Sequence, residues 1–103
     1  MLVHSVFFSL HDNSPAAIRK LIDACKTYLP RHDGVLHFSV GTLNRELDRP
    51  VNDRDFDVSL HLVFDSKASH DTYQVSPEHK QFIRESKPNW RLVRVFDSDE
   101  ESK

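Results

Sequence analysis

The chain has 103 residues, a net charge of −2, 38% hydrophobic residues and 29% charged residues, values typical of one water-soluble domain. No apolar run is long enough to cross a bilayer, and the scattered basic residues lack the positive patch of a nucleic-acid-binding protein, so neither a membrane nor a nucleic acid is an expected partner. The apolar start "MLVHSVFFSLHD" has no basic segment before it, which argues against a signal peptide and favours a cytoplasmic location. The single cysteine, Cys25, excludes an intramolecular disulfide and is expected to be a small core residue.

The first part of the chain predicts a strand, a helix and a second strand. The run Leu2 to Leu10 is short, apolar and rich in aromatic residues, as β-strands often are. Ser14 is a favoured N-cap and Pro15 a favoured first helical residue. Apolar residues then recur every three or four positions as far as Pro30, which ends the helix. Val35 to Leu43 is expected to form the second strand.

A break between two helices is predicted in the stretch "TYQVSPEHKQF". A charged loop and a strand over Phe56 to Phe64 precede a helix that carries Tyr73. Ser76 and Pro77 then supply a new N-cap and a new first helical residue, because proline cannot donate the hydrogen bond of a continuing helix. One unbroken helix would place Tyr73 and His79 on roughly opposite sides, whereas the break allows both side chains to enter one space.

The last strand is predicted over Trp90 to Phe96, and the acidic residues from Asp97 onward are expected to form a frayed tail. The element order is therefore β-α-β-β-α-β, an α+β arrangement of the ferredoxin-like type with a four-stranded antiparallel sheet and helices on one face. We predict one domain over residues 1–97 and an acidic C-terminal tail over residues 98–103.

Both faces of this sheet are expected to be apolar. Val3 and Phe7 alternate with the residues that should face the helices, and the second and fourth strands have apolar residues at odd and even positions. In the fourth strand the expected division is Val93 and Val95 on one face, and Trp90, Leu92 and Phe96 on the other. An apolar sheet face needs a cover, and the simplest cover is a second copy of the chain. We therefore predict a homodimer that forms through the sheet face, a dimeric α+β barrel.

The stretches "LVHSVFFSL", "FDVSLHLVFDSKASHDTY" and "SPEHKQF", followed by a strand that ends in "VFD", together resemble the stress-responsive dimeric α+β-barrel (Dabb) family. The resemblance implies a homodimer whose two sheets form a barrel. The best-defined activity in that family is a plant polyketide cyclase, in which a tyrosine and a histidine form an acid–base pair in a cavity between sheet and helices. The matching residues are Tyr73 and His79, and a strand-one histidine matches His4. Two positions differ: Ser76 stands where many members have a histidine, and Val58 where the cyclase has another.

Three residues are therefore candidates for a catalytic site. His79, expected in the first turn after its Ser76 cap, would be a neutral imidazole and a general base, since the positive helix end disfavours imidazolium. Tyr73 would act as an acid or oxyanion donor, and His4 as an orienting partner. Alternatively, these residues have no catalytic role. In that case His79 packs over the Pro77 break, and His4 is a half-buried, hydrogen-bonded strand residue.

No metal or cofactor is predicted. The seven histidines show no ligand spacing on one element, and glycine-rich phosphate loops and nucleophile motifs are missing from the sequence. His37 and His61 fall on the odd-numbered face of neighbouring strands, where they could meet inside a dimer. Two histidines supply too few ligands to define a metal site.

Three functions remain open from the sequence. The first is a stress-associated module that binds a small apolar or aromatic molecule in a pocket between sheet and helices. The second is a cofactor-free cyclase, isomerase or monooxygenase-like enzyme that uses the His79–Tyr73 pair. The third is a structural dimer that builds larger assemblies.

Overall fold

The computed structural model describes residues 1–101, and it contains a four-stranded sheet with helices on one face. The strands are β1 (Leu2–Leu10), β2 (Val35–Thr42), β3 (Val58–Phe64) and β4 (Trp90–Asp99). The helices are α1 (Pro15–Tyr28), α2 (Lys67–Gln74) and α3 (Pro77–Ser86), and a 3₁₀ turn at Lys87–Asn89 leads into β4. The strand order is β2-β3-β1-β4 and each pairing is antiparallel. The predicted ferredoxin-like α+β fold is confirmed.

Serine N-caps begin the helices where the sequence predicts them. Ser14 accepts a hydrogen bond from the amide of Ala17, and Ser76 accepts one from the amide of His79. Each cap of this kind stabilises a helix by about 1 kcal/mol. Within residues 1–101, no helix has the length and apolar character needed to cross a membrane.

The core lies between the sheet and the helices. The even positions of β1 and β3 pair directly, His4 with Leu62 and Phe8 with Val58, and these side chains are buried together. Cys25 of α1 is fully buried against them, and burial raises the pKa of its thiol to about 12. Both predictions are confirmed: His4 lies on the helix-covered face, and Cys25 is a core residue whose thiol stays protonated at neutral pH.

The third strand begins later than predicted. β3 starts at Val58, and the ring of Phe56 lies before it, 5.0 Å from the ring of Phe7. Phe7 belongs to the open face of the sheet, since it pairs with Ser59 between two buried pairs. The Phe56 ring therefore packs against Phe7 from outside the strand, whose predicted start at Phe56 is two residues too early.

The fourth strand continues beyond its predicted end at Phe96. Leu2 pairs with Asp99 and His4 pairs with Asp97, so this edge of the sheet is longer than apolar content indicates. The expectation of a frayed segment that begins at Asp97 is therefore wrong. Residues 102–103 of the predicted tail lie outside the described residues.

A bulge places Trp90 on the helix side of the sheet. Leu10 pairs with Trp90, while the residue before Leu10 pairs with Leu92. Such a bulge adds one unpaired residue and inverts the alternation beyond it. The Trp90 ring consequently lies 5.1 Å from that of Phe8 in the core. The expectation that Trp90 shares a face with Leu92 is wrong for this reason.

The open face of the sheet has two halves: the half formed by β1 and β4 is largely apolar, and the half that includes β2 is more polar. Its apolar residues on β1 and β4 are Val3, Phe7, Leu92 and Phe96, and β2 contributes His37, Ser39 and Gly41. Phe38 and Val40 of β2 pack against the core on the helix side. The expectation of an apolar open face therefore holds for much of the half formed by β1 and β4, where Ser5 and Arg94 are polar exceptions.

Candidate functional site

The junction between α2 and α3 brings Tyr73 and His79 together. The Ser76 hydroxyl donates to the Tyr73 carbonyl at 2.8 Å and accepts from the His79 amide at 3.1 Å. One side chain thus ties the end of α2 to the start of α3. The Tyr73 and His79 rings meet edge to face, with centroids 4.8 Å apart, and both side chains are buried. The two rings therefore meet at the break, as the sequence allows.

His4 joins this pair from the sheet. It is buried on β1, and its ring centroid lies 6.2 Å from that of Tyr73. Its Nδ1 donates to the Asp97 carboxylate at 2.5 Å, across the β1–β4 pairing. The predicted trio of Tyr73, His79 and His4 is therefore gathered at one place, with Asp97 as a fourth member.

Two further histidines complete the group, and sequence reasoning missed them. The His32 ring lies 5.0 Å from the Tyr73 ring, and His32 Nε2 donates to the Tyr28 carbonyl. The His70 ring lies 5.1 Å from the His4 ring. His70 precedes Tyr73 by three positions, a spacing that places both on one helix face and could have identified it. Below, the term histidine–tyrosine cluster denotes His4, His32, His70, Tyr73 and His79.

Burial keeps the central members of the cluster uncharged. Burial lowers the pKa of His79 to about 4, with smaller contributions in the same direction from His4, His32 and His70. Burial also raises the pKa of the Tyr73 hydroxyl well above its usual value. For His4, burial lowers the pKa while the Asp97 hydrogen bond opposes it. At neutral pH, therefore, the neutral imidazole of His79 lies beside the protonated phenol of Tyr73.

The Nδ1 atom of His79 is buried and has no hydrogen-bond partner among the described residues. Such an atom destabilises the fold by about 1–3 kcal/mol unless another molecule satisfies it. Because the imidazole is neutral, Nδ1 either accepts from a hydroxyl or donates to a carbonyl, according to the tautomer. The arrangement can therefore bind a polar group, or move a proton to or from it.

His37 and His61 lie on the open face, apart from the cluster. His61 forms a hydrogen bond with Ser5 at 3.0 Å, and His37 sits diagonally across the β2–β3 pairing from it. Burial and the neighbouring His37 lower the pKa of His61. The strand register therefore makes His37 and His61 diagonal neighbours, as the sequence allows. Within residues 1–101, no third ligand joins them in a possible metal site.

The family model of the Stress responsive A/B Barrel Domain (Dabb) matches residues 2–100, nearly the whole chain. The chain belongs to the Dabb family. The resemblance drawn from the sequence motifs is therefore confirmed. No curated protein matches this Dabb domain.

Solved structures share the fold of this Dabb domain at low sequence identity. A ferredoxin-like Dabb family protein from Mesorhizobium loti is 21% identical with a TM-score of 0.79, covering 98% of this chain and 97% of that one. A dimeric ferredoxin-like protein of unknown function from Thermobifida fusca is 15% identical with a TM-score of 0.77, covering 94% and 88%. A hydroxynitrile lyase from Passiflora edulis is 18% identical with a TM-score of 0.79, covering 99% and 94%. Likeness at these identities establishes the fold, and function is a separate question.

Among the cavities formed by residues 1–101, two open on the helix side of this Dabb domain. The larger, about 830 Å³, is a groove between α1 and the end of α3, with Leu10, Leu21 and Trp90 among its lining residues. The smaller, about 310 Å³, lies between the start of α1 and the loop before β3. Neither is lined by Tyr73 or His79, whose surroundings are filled by packed rings.

Proposed function

We propose that this Dabb domain binds a small apolar or aromatic molecule whose hydroxyl or carbonyl group hydrogen-bonds to His79 and Tyr73. The single observation that carries the proposal is the unpaired Nδ1 of His79, buried beside the Tyr73 ring. A bound hydroxyl or carbonyl would satisfy this atom, and the affinity would include the relief of an unmade hydrogen bond.

The surroundings of the pair favour an aromatic or apolar body for that molecule. The Tyr73 ring lies 5.1 Å from the Phe64 ring, and the His79 ring lies 6.4 Å from the Phe82 ring. Aromatic side chains prefer edge-to-face or offset contacts with further rings. Entry requires these rings to separate, since they fill the space around His79 and Tyr73. Such binding sites combine apolar walls with a few placed polar groups.

A ligand screen with two kinds of variant tests this proposal. Thermal shift with a panel of phenols and aromatic ketones should raise the melting temperature of the wild type, and His79→Gln and Tyr73→Phe should abolish the shift. Ala16→Trp is the matched control, because Ala16 is an exposed residue that lines the larger groove instead. Shifts abolished by Ala16→Trp but retained in His79→Gln would assign binding to the groove and refute the proposal.

A second candidate function is cofactor-free proton transfer to or from a bound small molecule. It is favoured by the protonation states: a neutral His79 can accept a proton at pH 7, and a protonated Tyr73 can donate a hydrogen bond to a developing oxyanion. His4, held by Asp97, would orient the substrate or Tyr73. A structural neighbour is named a hydroxynitrile lyase, and cleavage of a cyanohydrin begins with removal of its hydroxyl proton.

Release of benzaldehyde from an aromatic cyanohydrin, followed by ultraviolet absorbance, tests this candidate. A general base contributes roughly 10²–10⁴-fold, so His79→Gln should lower any turnover by at least the smaller factor. Activity should also fall as the pH approaches the His79 pKa of about 4 from above. Turnover that survives both His79→Gln and Tyr73→Phe would exclude the pair as the catalytic groups.

We further propose that two copies associate through the open sheet face. Phe96 is 56% exposed and Leu92 is 39% exposed on the apolar half of that face, and a structural neighbour is described as dimeric. A standard interface buries about 1,600 Å² in total and places such residues at its centre. Phe96→Glu should therefore convert a dimer into a monomer.

Sedimentation equilibrium at micromolar concentration checks the association. The control is Val51→Glu in the loop before β3, because Val51 is 84% exposed and lies off the sheet. The wild type and the control should sediment as dimers. A wild-type monomer would refute the proposed association. Particles larger than a dimer would favour the third alternative, a structural assembly.

A further inference from the structure

We propose that His4, His70 and Asp97 form a site for a divalent transition-metal ion, with Zn²⁺ as the preferred ion. One ligand atom from each of these residues lies within 4.8 Å of the others. Two imidazoles and a carboxylate are a ligand set that Zn²⁺ takes in proteins, with a fourth position open to water or a small molecule. The proposal does not depend on ligand binding by His79 and Tyr73.

The three ligands come from three elements that the fold holds rigidly. His4 lies on β1 and Asp97 directly opposite it on β4, while His70 is presented by α2 above the sheet. This origin explains the lack of a metal-binding motif in the sequence, since no two ligands share an element. A site held on strands and helices is positioned more accurately than a site on loops.

The spacing between His4 and Asp97 needs only a small adjustment to accept an ion. Zn–N and Zn–O bonds of about 2.0–2.2 Å in a tetrahedron place ligand atoms about 3.3 Å apart. His4 Nδ1 and Asp97 Oδ1 are now 2.5 Å apart and share a hydrogen bond. An ion would replace that hydrogen bond, and the distance between the two atoms would increase by less than about 1 Å. Asp97 can make this movement, because its side chain is 42% exposed on an edge strand.

A second carboxylate, that of Asp71, orients the His70 ring for metal binding. His70 Nδ1 donates to Asp71 Oδ1 at 3.1 Å, which leaves Nε2 as the nitrogen available to bind a metal ion. Metal-binding histidines commonly donate their other nitrogen to a carboxylate, which fixes the ring and its tautomer. The His70 side chain is 16% exposed, so the site is partly shielded yet open to ions from solvent.

Titration of the tag-free protein with Co²⁺, followed by Zn²⁺ competition, tests the site. Visible absorbance of bound Co²⁺ should saturate at one ion per chain with a Kd on the order of 10 µM or tighter. His70→Ala and Asp97→Asn should each weaken binding by at least about 10-fold. Asp97→Asn keeps the side-chain shape on an exposed strand, so it remains informative if His70→Ala fails to fold.

The control variant is His61→Ala, because His61 is a partly buried histidine on the opposite face of the sheet. Its Co²⁺ affinity should equal that of the wild type. No binding by the wild type at millimolar Co²⁺ would overturn the proposal. Full binding by both Asp97→Asn and His70→Ala would also overturn it, as would loss of binding in His61→Ala.

Discussion

The burial of neutral His79 should make the protein less stable in mild acid. The substitution His79→Gln should remove this part of the pH dependence. The His79 pKa falls from its ordinary value of 6.5 to about 4 on folding. Below pH 6.5 the unfolded chain binds a proton at this residue that the folded chain does not, so acid favours unfolding. Stability from this source is fully present above pH 6.5 and is lost as the pH falls to about 4.

The size of the effect follows from these two values. The full difference corresponds to about 3 kcal/mol. Between pH 7 and pH 5 the linkage relation gives a loss of about 2 kcal/mol in the free energy of unfolding. His4 adds a loss of the same sign, because burial lowers its pKa as well. The contribution of His79 alone therefore requires a comparison with a variant.

Urea unfolding at pH 7 and pH 5, at one protein concentration, makes this comparison. The wild type should lose about 2 kcal/mol more than His79→Gln over this interval, whatever the stability of the variant at pH 7. His11→Gln serves as the control, because His11 is exposed, and it should behave like the wild type. Equal losses in the wild type and His79→Gln would refute the reasoning that buried His79 resists protonation.

Three further results are expected. Asp97→Asn should lower the pKa of His4 further, since the carboxylate hydrogen bond raises that pKa, and NMR titration of the imidazole protons measures the change. Phe8→Ala should lower the free energy of unfolding by about 3–5 kcal/mol, whereas the exposed Val51→Ala should change it by less than about 0.5 kcal/mol. Gly34→Ala should lower the free energy of unfolding in urea by more than about 1 kcal/mol, because Gly34 has a φ of 87° and an added methyl group would collide with Ser69. An unchanged urea midpoint would contradict this account.

Local sequence signals predicted the elements of the site well. The serine–proline pairs at positions 14–15 and 76–77 each mark a helix start, and the structure has helices beginning at Pro15 and Pro77. The even-numbered apolar residues of β1 and β3 placed His4 under the helices, because alternation survives wherever pairing is regular. These signals were sufficient to bring Tyr73, His79 and His4 together.

The remaining features depend on pairing between distant segments. The bulge beside Leu10 inverts the alternation of β4 and no residue type marks it, so regular alternation predicts the wrong face for Trp90. Asp97 belongs to a stretch of low strand propensity, yet β1 is long enough to pair with it. His32 reaches the cluster from a loop, where no periodicity marks its contact with Tyr73. The helical spacing relates His70 to Tyr73, but its contact with His4 depends on how α2 packs on the sheet.

The Ser76 junction has a consequence for protein engineering. Val75 is 66% exposed, so its side chain can be exchanged with little effect on packing. Lengthening the link is different, because Ser76 bridges the Tyr73 carbonyl and the His79 amide, and an added residue would change the spacing of these two groups. A single inserted residue should therefore break one of the two hydrogen bonds made by the Ser76 hydroxyl. Variant libraries at this position should therefore vary the residue type and keep the number of residues fixed.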